Sequence, residues 1–147
     1  MLDLLKHTHS GLRWLVLIFI VVAIVNAIIK RGKATEYTKG DRVPVILGLI
    51  FTHIQTVIGF VLYFVSPQVS FHDGFMKDAV ARFYGIEHIS MMIIAVALIT
   101  IGYSRSKRME DPNKKHSTVL MFYGIGLLIM LASIPWPFRE ALGGSWF

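Results

Sequence analysis

Long apolar runs alternate with short polar segments four times along this chain. The first run, LRWLVLIFIVVAIVNAII, spans Leu12 to Ile29, and from Leu15 onward Asn26 is its one polar residue. About 20 apolar residues at 1.5 Å rise each cross the hydrocarbon of a bilayer, so each run is long enough to span. The segment LLKHTHS before the first run contains no helix breaker, which places span one at about 4–30. Span two, about 43–65, carries Pro44 in its first turn, where a missing N–H does no harm, and Ser66-Pro67 ends it. Span three, about 77–104, has Arg82 and Glu87 in its outer part. Span four, about 117–135, stops at Pro135-Trp136-Pro137. A water-soluble bundle needs a polar stripe on every helix, and span one has none. The pattern predicts an all-α membrane protein: one four-helix transmembrane domain over residues 1–147, folded as an up-down bundle.

Composition agrees and adds an orientation. Hydrophobic residues make up 54% of the 147 residues and charged residues 16%, against roughly 25% charged in soluble domains. Ten of the fifteen Lys and Arg residues fall in two short segments. Lys30, Arg31, Lys33, Lys39 and Arg42 lie between spans one and two; Arg105, Lys107, Arg108, Lys114 and Lys115 lie between spans three and four. Basic loops stay in the cytoplasm, so both termini are expected on the outer, periplasmic side. Trp14, Trp136 and Trp146 then lie toward the outer interface, where indoles prefer to sit. The net charge of +6 therefore sets topology and does not point to nucleic acid. The run from Leu12 is too long for a cleaved leader and reads as a retained span. The chain has no cysteine, which excludes disulfides, thiol catalysis, iron–sulfur ligation and c-type haem attachment.

Ionisable groups inside spans are costly and are candidates for function. Span one has His9 and Arg13, span two His53 beside Gln55, and span three Arg82, Glu87 and His88. Span four has none in its core, with His116 just before it. Histidines on three helices of a four-helix unit suit haem iron, because neutral imidazole is an axial ligand and bundles build such sites from facing helices. Counting rise per residue from the expected inner span ends puts His9 about 31 Å, His88 about 24 Å and His53 about 15 Å up. His88 is the common partner: it pairs with His9 near the outer leaflet or with His53 near mid-membrane, and the outer pairing is preferred. Gly85, three residues before His88, shares its helical face and would let a flat ring approach the backbone. Met91 and Met92 follow on the same side. Arg13 or Arg82 could bind a haem propionate. The plainer readings are interhelical hydrogen bonds for the histidines, close packing for Gly48, Gly59, Gly124 and Gly126, and an ion pair for Glu87 with Arg13 or Arg82.

The strings HTHSGLRWLVL, FTHIQTVIGFVLYF, FYGIEHISMMIIAVALITIGYSRSKR and FYGIGLLIMLASIPWP resemble a small bacterial four-helix membrane family labelled cytochrome b. A looser likeness is to the haem-bearing four-helix halves of haem A synthase. Gln55 and Gly59 match a Q-x-x-x-G element there, and Glu87 with His88 match a Glu and ligand-His element. Glu and His are adjacent here and separated there, and the Cys-containing loop is absent, so haem A synthesis is not implied. The resemblance implies a bacterial inner-membrane protein with a b-type haem held by His9 and His88. One haem is expected, and His53 leaves a second as the alternative count.

Two classes of function follow from this reading. The first is a membrane cytochrome, an electron carrier or oxidoreductase exchanging electrons with a quinone or serving as a subunit of a respiratory complex. The second is a haem-free accessory or assembly subunit, partnered by other membrane subunits or by its own copies. No span is broken at mid-membrane as transporters often require, and no hydrolase pattern is present.

Overall fold

The computed structural model describes residues 1–144 and Trp146. Four long helices carry the fold: α1 Leu2–Lys30, α2 Lys39–Val65, α3 Ala79–Arg108 and α4 Pro112–Ser133. Each is long and apolar enough to cross a membrane. They pack as an up-down bundle, so both termini share one end and both basic loops the other. That second end is called inner below.

The helices start and stop beyond the apolar runs because polar residues cap them. Thr38 and Asp41 form a capping box at the head of α2, with the Thr38 N–H donating to Asp41 Oδ2 at 2.9 Å. Lys30 Nζ reaches the same oxygen at 2.8 Å and ties the end of α1 to the start of α2. The early start corrects the reading of Pro44, which lies past the first turn. A proline inside a helix leaves the carbonyl four residues back without its donor. That carbonyl is Gly40 O, and it accepts from Asn26 Nδ2 at 3.1 Å. The one polar residue of the first apolar run beyond Leu15 thus repairs a proline break in the neighbouring helix. Asp111 caps α4, its Oδ1 accepting from the Asn113 N–H at 2.8 Å, with Pro112 at the first helical position. His116 consequently sits within α4 and not before it. Its side chain is buried, with its ring centre 5.0 Å from that of Tyr37.

Helix α1 packs against α2 and α4, and α3 packs chiefly against α4; the α2–α3 seam is the loosest, and α1 lies diagonally across from α3. The core occupies the middle and inner half, around Ile20, Ala23, Ala27, Val45, Ala95, Ile99, Val119 and Tyr123. Lipid tails are as apolar as these side chains, so close packing and buried hydrogen bonds, not the exclusion of water, hold spans together. Tyr123 supplies both, being fully buried with its hydroxyl donating to Val45 O at 2.8 Å. A methyl group added to Gly48 would lie 3.3 Å from Ile20, one on Gly126 3.0 Å from Ile99, and one on Gly102 2.5 Å from Phe122. Gly124 has open space beside it, so close packing does not account for that glycine. The outward faces carry bare large apolar side chains, among them Ile18, Val57, Phe64 and Leu128. A water-soluble monomer rarely exposes apolar surface on this scale; lipid covers it here, and the chain is a multi-pass membrane protein.

Candidate functional site

The outer half of the bundle opens into a cavity of about 300 Å³, at the lower end of the size of small-molecule and cofactor pockets. Its walls follow helical spacing. Lys6, His9, Ser10, Arg13 and Leu17 recur every three or four residues along α1, and Thr52, Gln55, Thr56, Gly59 and Tyr63 do the same along α2. Tyr84, His88, Met92 and Val96 line it from α3, and Met130 and Ile134 close it from the α4 side. Polar groups therefore form inward stripes on the outer halves of α1 and α2, facing walls from α3 and α4 that are apolar apart from Tyr84 and His88.

Of the residues expected to form a site, His9, His88 and Arg13 line this cavity, and His53, Arg82 and Gly85 do not. Depth explains the histidines. Helix α3 runs to Arg108, four residues beyond the expected inner end at Ser104, because its charged last turn extends the helix past the apolar run. His88 then stands 20 residues above the end of α3, and His9 stands 21 above Lys30 at the end of α1. At 1.5 Å each, the two are level within about 2 Å. His53, 14 residues into α2 from Lys39, is about 10 Å nearer the inner end. It is also exposed on the bundle surface, with Nδ1 2.9 Å from Leu49 O and Nε2 3.4 Å from Thr100 Oγ1 across the α2–α3 seam.

A π turn over Phe83–Glu87 separates the other two candidates from the cavity. In it the His88 N–H bonds to Phe83 O, five residues back. The extra residue rotates the outer end of α3 relative to His88, so Gly85 does not share its face. A β-carbon on Gly85 would instead lie 3.4 Å from the Phe71 ring, and the Gly85 carbonyl accepts from the Tyr63 hydroxyl at 3.0 Å. Arg82 Nε bonds Glu87 Oε1 at 2.7 Å on the surface, which is the plain ion pair weighed for Glu87. Helix α3 opens just before this turn with Asp78 as its cap. The N–H groups of Ala81 and then Val80 hold that carboxyl below the usual carboxylate range.

The two cavity histidines are held by different means. His88 Nδ1 lies 2.7 Å from Ser133 O. A carbonyl only accepts, so Nδ1 carries the proton and Nε2 keeps its lone pair. Ser133 is the last residue of α4, and the final four carbonyls of a helix lack intrahelical donors. All four are met here: Met130 O by the Ile134 N–H at 3.0 Å, Leu131 O by Trp136 Nε1 at 2.9 Å, Ala132 O by Arg139 Nη1 at 3.3 Å, and Ser133 O by His88. His9 is held through its backbone, since Gln55 Nε2 donates to His9 O at 2.7 Å. Its ring lies against Gly59, while its Nδ1 is buried without a hydrogen-bond partner among the described residues. Thr52 Oγ1 and Gln55 Oε1 are likewise buried without partners. Buried unsatisfied polar atoms are rare in folded proteins, and three of them cluster around one cavity.

Arg13 stands between the cavity and a cluster of indoles. Its Cζ lies 5.5 and 5.7 Å from the Trp14 and Trp136 ring centres, and its Nη2 donates to Trp146 O at 2.8 Å. Trp14, Trp136 and Trp146 lie within 6.1 to 6.2 Å of one another by ring centres, at the end opposite the basic loops. Among the described residues no three His, Cys, Asp or Glu side chains converge as a bare metal ion would require. Two imidazoles on diagonal helices, largely apolar walls and the cations Lys6 and Arg13 are the residue types that could hold a planar macrocycle bearing carboxylates.

Sequence reasoning missed the Ser133 carbonyl, Lys6, Ser10 and Thr52. The side chains among them were visible as a continuation of the His9–Arg13 and Gln55–Gly59 spacing. A main-chain carbonyl on another helix leaves no such trace. Compared with protein-family models, curated proteins and solved structures, the chain matches none. What fold and site define is a four-helix multi-pass membrane protein with a two-histidine cavity in one half of its bundle.

Proposed function

We propose that this protein is a b-type membrane cytochrome whose cavity holds one haem between His9 and His88. One observation carries this reading: two histidines on diagonal helices line the same cavity, at similar residue counts from the inner ends of their helices. A haem bound there supplies one-electron redox chemistry. The protein's share is to bind, orient and insulate. Ser133 O fixes the His88 tautomer that leaves Nε2 free as a ligand, the kind of outer support that metal-binding histidines almost always have. Arg13 and Lys6 offer positive charge to propionates. The apolar side chains of α3 and α4 keep water from the ring, a lever on redox potential.

Positive-inside topology supports placing the cavity and both termini on the periplasmic side of a bacterial inner membrane. A quinone dissolved in the bilayer suits such a carrier as electron partner, as does a subunit of a respiratory complex. Haem extracted from protein purified out of haem-replete cells should amount to one haem b per chain; protein that is folded and free of haem would contradict the proposal. The second reading, a haem-free accessory subunit, draws support from His53. That polar ring stands on an otherwise lipid-facing surface, where a neighbouring subunit or a second copy would cover it.

A further inference from the structure

Nothing within the α1 helix explains how the His9 ring keeps one orientation. Its Nδ1 has no hydrogen-bond partner, so no bond fixes that nitrogen as Ser133 O fixes His88. The restraint comes from α2. Gln55 and Gly59 lie one helical turn apart on its cavity face, and both touch His9. Gln55 Nε2 donates to the His9 carbonyl at 2.7 Å, a main-chain oxygen with a second lone pair to offer. Gly59 provides the space for the ring. A β-carbon there would lie 3.1 Å from His9 Cε1, 3.7 Å from Nδ1 and 4.0 Å from Nε2. It would press on the edge that carries both nitrogens. Of the two contacts, one sets the height of His9 against α2 and the other sets the plane of its ring.

We infer that Gln55 and Gly59 are positioning residues that form a seat on α2 for His9 and set the angle at which its imidazole meets a ligand in the cavity. The consequence for ligation rests on the haem reading; the seat itself does not.

A double-mutant cycle on the full-length protein in detergent tests the seat without reference to haem. Gly59→Ala should lower the melting temperature by several degrees in the native background and leave it unchanged in a His9→Ala background, where the ring is gone. Gly124→Ala, which has open space around it, should do nothing in either. A penalty for Gly59→Ala that persists in the His9→Ala background would overturn the seat. The ligation arm uses the haem-loaded protein: Gly59→Ala and Gln55→Leu should each change the low-spin electron paramagnetic resonance spectrum or shift the midpoint potential, with His88 intact. Unaltered spectra and potentials in both variants would overturn the positioning role while leaving the haem reading standing. Native protein with no haem would remove the haem reading alone, and the melting cycle would still decide the seat.

Discussion

Around Tyr123 and around His9 the same four helices solve opposite problems. Near Tyr123 the helices approach until glycines at 48, 102 and 126 are needed, and the tyrosine hydroxyl is bonded to Val45 O at 2.8 Å. Near His9 they part, enclosing a cavity of about 300 Å³ with His9 Nδ1, Thr52 Oγ1 and Gln55 Oε1 left without partners. Membrane helices gain little from burying apolar surface, so interhelical packing is what stabilises them, and the outer half gives part of it up. The contrast is one of packing: the inner half closes around small residues while the outer half leaves open space, although Asp41 Oδ1 and His116 Nε2 of the inner half are also buried without partners among the described residues.

Substitutions that treat the two halves alike should therefore behave differently. The largest effect is expected at Gly102, where a β-carbon meets Phe122 at 2.5 Å. Gly102→Leu should cost about 3 kcal/mol, at the upper end of overpacking penalties, and should abolish a monodisperse folded species in size-exclusion chromatography. Gly124→Leu, with nothing nearby, should leave the elution profile unchanged. A smaller effect of reversed sign is expected at Thr52. Its buried hydroxyl has no partner, so Thr52→Val should be neutral or stabilising by up to about 1 kcal/mol in ligand-free protein, read from denaturant unfolding in micelles. A clear loss of stability there would mean that the Thr52 hydroxyl is satisfied within the bundle. The smallest effect concerns the outer start of α3. Asp78 has a folded pKa below its unfolded value, so its stabilising contribution is complete above the ordinary carboxylate pKa and fades as pH falls through the folded one. The protection factors of the Val80 and Ala81 amides, taken against intrinsic exchange at each pH, should fall in that acid range, while those around Tyr123 stay high.

Much of this was legible in the sequence, and the failures have physical causes. The four spans, their short connections and the inward histidines follow from hydropathy and from the cost of charge in lipid. The helix ends do not, because Thr38, Asp41, Asp111 and the basic last turn of α3 extend helices beyond the apolar window. That extension moved His88 from an apparent mismatch with His9 to the same depth. Gly85 was misplaced because a π turn has no signature in residue spacing. Asn26 stood out as an isolated polar residue, but its service to Gly40 O depends on which helix lies beside it. Span four showed no ionisable group in its core, yet its C-terminal carbonyl bonds His88.

The central claim is that the outer cavity, and not the bundle centre, binds haem through His9 and His88. Reduced-minus-oxidised absorption spectra of the purified native protein and of His9→Ala, His88→Ala and His53→Ala test it most directly. A b-type spectrum in the native protein and in His53→Ala, lost in His9→Ala and His88→Ala, is the expected result. A spectrum that survives His9→Ala but disappears with His53→Ala, or no haem signal in the native protein, would contradict it.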